Sequence, residues 1–126
     1  MTAEELYPFL RSVLEQDTAA VVLCDLEDKI VYMNPAADEN YRKYGGHSLC
    51  GQSLLNCHNE QSREMIHRVV AWFAESKDHN LVHTFYNKKQ NKDVYMVALR
   101  GEDGELIGYY EKHEYRTVDE RGFYEF

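Results

Sequence analysis

Histidine and cysteine are the residues of this 126-residue chain whose side chains could do chemistry, and the sequence has six histidines and three cysteines. His58 stands out because it comes directly before the segment with the strongest helical pattern. A neutral imidazole is a good ligand for haem iron, so His58 is a candidate axial ligand. The alternative is a partly exposed histidine that helps to begin the helix. The neighbouring Cys57 is either a redox thiol or a small buried hydrophobic residue.

The other histidines form no metal-binding or catalytic pattern. His67 falls at the edge of the apolar stripe of the predicted helix, and His113 lies on a predicted strand. Alternation places His83 on the same strand face as Leu81 and Phe85. No cysteine pair has zinc-finger spacing, and the common motifs of hydrolases, nucleotide-binding loops and metalloproteases are absent. We therefore do not expect an enzyme.

The charge of the chain excludes several classes of protein. Lys and Arg total 14 against 22 Asp and Glu, which gives a formal net charge of -8. Nucleic-acid binding needs a basic surface, and an anionic membrane repels an acidic protein, so neither partner is expected. No apolar segment approaches the length of a membrane span, and the first residues lack the basic region of a signal peptide. We expect a single cytoplasmic domain with free thiols.

The hydrophobic pattern predicts the elements of an α+β domain. The predicted elements are a helix at 3–16, strands at 19–24 and 30–33, a short helix from Asn34 to about Gly45-Gly46, an irregular segment at 47–58, a longer helix at 60–76, and strands at 81–86, 93–99 and 106–115. Thr2 and Glu5 can cap the first helix, and Asn34 followed by Pro35 is typical of a helix start. Strands joined by hairpins, with the helices segregated from them, indicate an antiparallel sheet.

Three short motifs resemble those of the PAS domain family, in the family's order. They are Ile30-Val-Tyr-Met-Asn34-Pro-Ala-Ala37, Leu49-Cys-Gly51-Gln-Ser53 and Asp103-Gly104-Glu-Leu-Ile-Gly108. The resemblance covers residues 15–116 and implies a flanking helix at 1–17, a PAS domain at 18–116 and a tail at 117–126. One departure is the end of the last strand, Tyr115-Arg-Thr117, which lacks the usual ending that leads to a signalling helix.

A narrower resemblance concerns the cofactor. The segment Leu55-Asn-Cys57-His58-Asn59 is similar to a Cys-His-Pro segment of a bacterial PAS subgroup linked to haem, with Asn59 in place of the proline. Haem bound through His58 is therefore one expectation. Flavin photochemistry is disfavoured, because Leu54 stands where light-sensing PAS domains have their reactive cysteine.

The PAS resemblance implies a five-stranded antiparallel sheet with helices cupped over one face and a small-molecule pocket between them. The expected pocket residues are His58, Ile66, Val69, Val70, Phe73, Phe85, Tyr95, Val97 and Tyr109. The flanking helix is expected to form a homodimer, and a protein partner bound in trans would receive the signal. Two alternatives remain, a ligand-free interaction module and a small α+β cone enzyme that uses an ionisable pair such as Glu111 with His83.

Overall fold

The structure, a computed structural model, describes all of residues 1–126 and has the predicted α+β architecture. The helices are α1 (Ala3–Gln16), α2 (Pro35–Asn40) and α3 (Glu60–Glu75), and the strands are β1 (Ala20–Asp25), β2 (Ile30–Met33), β3 (Leu81–Asn87), β4 (Lys92–Arg100) and β5 (Leu106–Tyr115). The strands form one antiparallel sheet in the order β2-β1-β5-β4-β3. None of the helices has the length and apolar character needed to cross a membrane.

The last strand of the chain occupies the centre of the sheet, between β1 and β4. Its inward-facing residues therefore lie deep in the domain. Gly108 makes this arrangement possible, because a side chain at that position would collide with the Cys24 carbonyl on β1. The core lies between the inner face of the sheet and the segments from α2 to α3, and its largest buried side chains include Tyr109, Phe73 and Ile66.

Helix α1 has the predicted bounds and the predicted cap. The Thr2 hydroxyl accepts a hydrogen bond from the Glu5 amide, and the Glu5 carboxylate accepts one from the Thr2 amide. None of its residues is buried, so α1 takes no part in the core. Residues 117–126, at the other end, form no helix or strand and are exposed. The proposed domain boundaries at 17 and 116 remain predictions.

Asn34 is the N-cap of α2, as predicted, and it also joins three parts of the fold. Its Oδ1 accepts hydrogen bonds from the amides of Ala37 and Val21, both at 2.9 Å. Its Nδ2 donates to the carbonyls of Leu14 at 3.0 Å and Ala19 at 2.9 Å. The side chain is fully buried. One amide group thus fixes the end of α1 and the start of β1 against α2.

Two predictions about local structure are wrong. Helix α2 ends at Asn40, and short 3₁₀ turns replace its predicted second half, whereas the segment at 47–58 has no α-helix or strand and includes short 3₁₀ turns. Gly45 and Gly46 adopt positive φ angles between two of these turns, which breaks the helix path. On β3, a bulge between His83 and Phe85 reverses the alternation, so His83 pairs with Tyr95 while Phe85 pairs with Val94. His83 and Phe85 therefore lie on opposite faces.

Candidate functional site

A cavity of about 400 Å³ lies between the start of α3 and the inner face of strands β3, β4 and β5. This volume is within the range of small-molecule sites. The lining residues are Tyr41, His58, Asn59, Gln61, Ser62, Met65, Thr84, Phe85, Val94, Glu111 and His113. The apolar members lie mainly toward α3 and β3, whereas the ionisable members meet at the inner end. Phe85 is 58% exposed and stands at the mouth.

Glu111, on the central strand β5, is the buried ionisable group of this cavity. Its Oε1 accepts a hydrogen bond from the Tyr41 hydroxyl at 2.7 Å and lies 2.8 Å from His113 Nε2. Its Oε2 accepts no hydrogen bond from the chain, and the nearest basic atom, His58 Nε2, is 3.6 Å away. Only 4% of the residue is exposed. The carboxylate therefore has one fully engaged oxygen and one oxygen without a donor.

His58 is held in place by the turn that precedes α3. Its Nδ1 lies 2.9 Å from the Leu54 carbonyl oxygen. A carbonyl can only accept, so the proton of this contact is on Nδ1. The Arg63 guanidinium donates to the carbonyls of Leu55 and His58 and fixes the same turn. Nε2 is consequently directed toward Glu111.

The pKa values of Glu111 and His58 depend on each other. Burial alone would raise the pKa of Glu111, but the contact with His113 and the charges of His113 and His58 hold that pKa well below its ordinary value. Burial alone would lower the pKa of His58, yet the adjacent Glu111 carboxylate raises it overall. The pKa of Tyr41 is far above its ordinary value because the hydroxyl is buried and faces the same carboxylate. Glu111 therefore stays ionised, and His58 gains a proton readily.

The chain matches the sequence profile described as the PAS fold over residues 14–114. It belongs to the PAS family. No curated protein is significantly similar to it. Similar solved structures include the PAS domain of a protein from Colwellia psychrerythraea, with 18% identity, a TM-score of 0.66, and 92% of this chain and 99% of that chain covered. A second is a sensory box sensor histidine kinase from Vibrio cholerae, with 16% identity, a TM-score of 0.56, and 91% of this chain and 95% of that chain covered. A third is the Aer2 receptor from Vibrio cholerae, described as a dual PAS-heme oxygen sensor, with 15% identity, a TM-score of 0.54, and 79% of this chain and 95% of that chain covered. At these identities the likeness shows the fold alone.

The expected pocket residues of this PAS domain fall into three groups. His58 and Phe85 line the cavity. Ile66, Val69, Val70, Phe73 and Tyr109 belong to the hydrophobic core or pack against it and do not line the cavity. Tyr95 and Val97 lie on the outer face of the sheet, since their neighbours Val94 and Met96 are the buried apolar residues of β4.

Glu111, His113 and Tyr41 line the cavity but are not among the nine expected pocket residues. The alternation along β5 places Tyr109, Glu111 and His113 on one face, and the structure confirms this. That alternation was the available signal for Glu111 and His113. Tyr41 lies in the turn after α2, where no periodicity indicates which way a side chain points.

The geometry around His58 does not fit a haem group. The contact of Nδ1 with the Leu54 carbonyl leaves the Nε2 lone pair free, as in a metal-ligating histidine, but Nε2 faces Glu111 Oε2. An iron on Nε2 would displace the contact with the carboxylate. It would also place the apolar face of a porphyrin beside a buried ionised group, which is unfavourable.

Proposed function

We propose that this PAS domain is a sensory module that binds a small organic ligand in the cavity beside Glu111. The observation that supports the proposal most directly is the convergence of Glu111, His58, His113 and Tyr41 at the inner end of a cavity of about 400 Å³. Small-molecule sites combine apolar walls with a few convergent polar groups and ionisable residues of shifted pKa. PAS domains are generally sensory, and they commonly bind small ligands.

A change at Glu111 has a short path to the outside of the domain. The next residue on β5, Lys112, points to the outer face, and its Nζ lies 3.8 Å from the Asp17 carboxylate at the end of α1. A ligand changes such a system only through its differential affinity for two arrangements. We propose that ligand binding shifts β5 around Glu111 and that this shift is transmitted to α1.

Helix α1 supplies the proposed dimer contact. Its apolar side chains are largely solvent-exposed, at 63% for Phe9, 56% for Leu10 and 69% for Val13. A helix of this length is marginally stable alone, and an exposed apolar stripe is typical of an interaction surface. We propose that a second copy of the chain, or a protein partner in trans, covers this stripe. The same observation favours the second candidate function, a ligand-free interaction module.

The cone-enzyme alternative has less support. It requires Glu111 and His83 to form an ionisable pair, but these residues lie on opposite faces of the sheet because of the bulge on β3. His83 instead contacts Asp93 at 2.8 Å on the outer face. A cytoplasmic location and the absence of nucleic-acid and membrane partners remain predictions from the sequence.

A thermal-shift screen tests the ligand proposal. Small cationic, anionic and neutral metabolites are tested against the wild type, the cavity-filling variant Ser62→Phe and the control Ala71→Phe, which places the same side chain on the exposed side of α3. A ligand at about one hundred times its Kd should raise Tm by roughly 10 °C. We expect binding to be lost in Ser62→Phe and kept in Ala71→Phe. If no compound shifts the wild type saturably, the ligand proposal fails and the interaction module remains.

A further inference from the structure

The two oxygens of Glu111 differ in a way that indicates what the cavity binds. Oε1 lies at hydrogen-bond distance from Tyr41 and His113, whereas Oε2 has no hydrogen-bond donor within the chain. The Tyr32 hydroxyl is the one fully buried polar side-chain atom of the chain without a hydrogen-bond partner, so Oε2 is open to the cavity. The structure thus presents an acceptor at the inner end of the cavity, and a ligand that donates a hydrogen bond would satisfy it.

The rest of the lining favours a positive charge on that donor. No lysine or arginine lines the cavity. Glu111 is therefore the one lining residue whose charge does not depend on whether His58 and His113 are protonated. When His58 is neutral, its proton is on Nδ1, and the Nε2 lone pair faces Oε2 across 3.6 Å. Two acceptors at this separation repel each other unless a proton or a donor group lies between them. A ligand ammonium can donate to both.

We propose that the ligand is a small organic cation with a primary ammonium group that donates to Glu111 Oε2 at the inner end of the cavity. This inference rests on the proposed function and adds the chemical class of the ligand. Phe85 and Met65 line the outer part, where an apolar or aromatic body would pack. A volume of about 400 Å³ suits on the order of a dozen non-hydrogen atoms, since each water in the liquid occupies roughly 30 Å³.

Binding of such a cation displaces the proton of His58. Ammonium and imidazolium both neutralise Glu111, so the ligand competes with protonation of His58 for one carboxylate. The other ionisable groups near this pair are Tyr41, His113 and Cys57, which surround the carboxylate, and Arg63, whose charge opposes protonation of His58. The affinity for the ammonium should therefore rise with pH while His58 loses its proton. An anionic ligand held by the imidazoles would show the opposite dependence.

Isothermal titration with benzylamine, benzyl alcohol and benzoate tests the charge class directly on the wild-type protein. These probes share one aromatic body and differ in charge. We expect benzylamine to bind roughly ten- to a hundredfold more tightly than benzyl alcohol, the range for a hydrogen bond to a charged group. Its affinity should rise by up to about tenfold per pH unit between about pH 6 and 8.

Variants locate the effect. Glu111→Gln should abolish the preference for benzylamine, and Glu114→Gln, at a partly exposed position on the same strand, should keep it. His58→Asn should keep the preference but lose the pH dependence, and this readout does not depend on whether Glu111→Gln folds. Preferred binding of benzoate or benzyl alcohol, or a preference for benzylamine that survives in a folded Glu111→Gln variant, would overturn this inference and leave the ligand proposal intact. If the screen and these probes all give no saturable binding, both proposals fail.

Discussion

Replacing Glu111 with glutamine removes one negative charge and leaves the volume of the side chain almost unchanged. The glutamine oxygen can keep the contacts with Tyr41 and His113, because it occupies the position of Oε1. The new amide replaces Oε2 and can donate to the Nε2 of a neutral His58. The variant therefore removes the buried ion pair but leaves a satisfied hydrogen-bond network when His58 is neutral. The cost of the substitution should depend on pH.

The pH window follows from the two pKa shifts. The lowered pKa of Glu111 gives stability that is present above its ordinary value of 4.5 and is lost as the pH falls below that value. The raised pKa of His58 gives stability that is present below its ordinary value of 6.5 and is lost as the pH rises through the folded value. The pair thus stabilises the fold most at about pH 5 to 6.5. Breaking one partner of a buried pair costs about 3–5 kcal/mol, so we expect a cost of about 3 kcal/mol at pH 6 and a smaller cost at pH 8, where His58 loses its proton.

Urea denaturation followed by circular dichroism at several pH values measures this difference. The control is Glu114→Gln on the same strand, because Glu114 is 45% exposed and pairs with Lys112 at the surface. Its cost should stay below about 1 kcal/mol at every pH. A Glu111→Gln penalty that does not change between pH 6 and 8, or that matches the control, would refute the assigned ion pair between Glu111 and His58.

Three further predictions concern other parts of the molecule. Asn34→Ala removes five hydrogen bonds of a buried side chain and should lower the free energy of unfolding by about 3 kcal/mol in urea titration, whereas loss of the exposed Asn56 should cost little. Leu10→Glu should convert the proposed dimer to a monomer of 14.8 kDa in light scattering; if the chain lacks a dimer, or if Ser12→Glu on the polar side of α1 has the same effect, the α1 contact is wrong. In a haemin titration, we expect no saturable Soret band that depends on His58. A band that saturates at one haem per chain and disappears in His58→Ala would show that iron can displace the contact between His58 and Glu111.

The fold was predictable where local chemistry decides the structure. Thr2 with Glu5 and Asn34 with Pro35 are self-contained helix starts, and both form as expected. The bulge on β3 was not predictable, because the alternation of His83 and Phe85 is locally regular and only the pairing with β4 interrupts it. The 3₁₀ turns before α3 likewise depend on tertiary packing.

The candidate site was less predictable than the fold for a related reason. Glu111 shares a strand face with Tyr109 and His113, but no local pattern shows that this face is the buried one. It is buried because β5 pairs with β1, which lies far away in the sequence, and thus becomes the central strand. His58 could be singled out from its type and position, but its protonation depends on a carboxylate from a different part of the chain. Chemistry that arises from a long-range contact leaves no local pattern.

The same central strand determines how a ligand could influence α1. The ion pair between Lys112 and Asp17 spans 3.8 Å at a partly exposed position, and such pairs contribute at most about 1 kcal/mol. That is too little to dominate a switch. Asn34 offers the stronger link, since its buried amide joins the Leu14 carbonyl of α1 to the start of β1, the strand paired with β5. A shift of β5 around an occupied Glu111 would therefore reach α1 mainly through β1 and Asn34. Removal of the Lys112 charge should weaken this coupling only slightly.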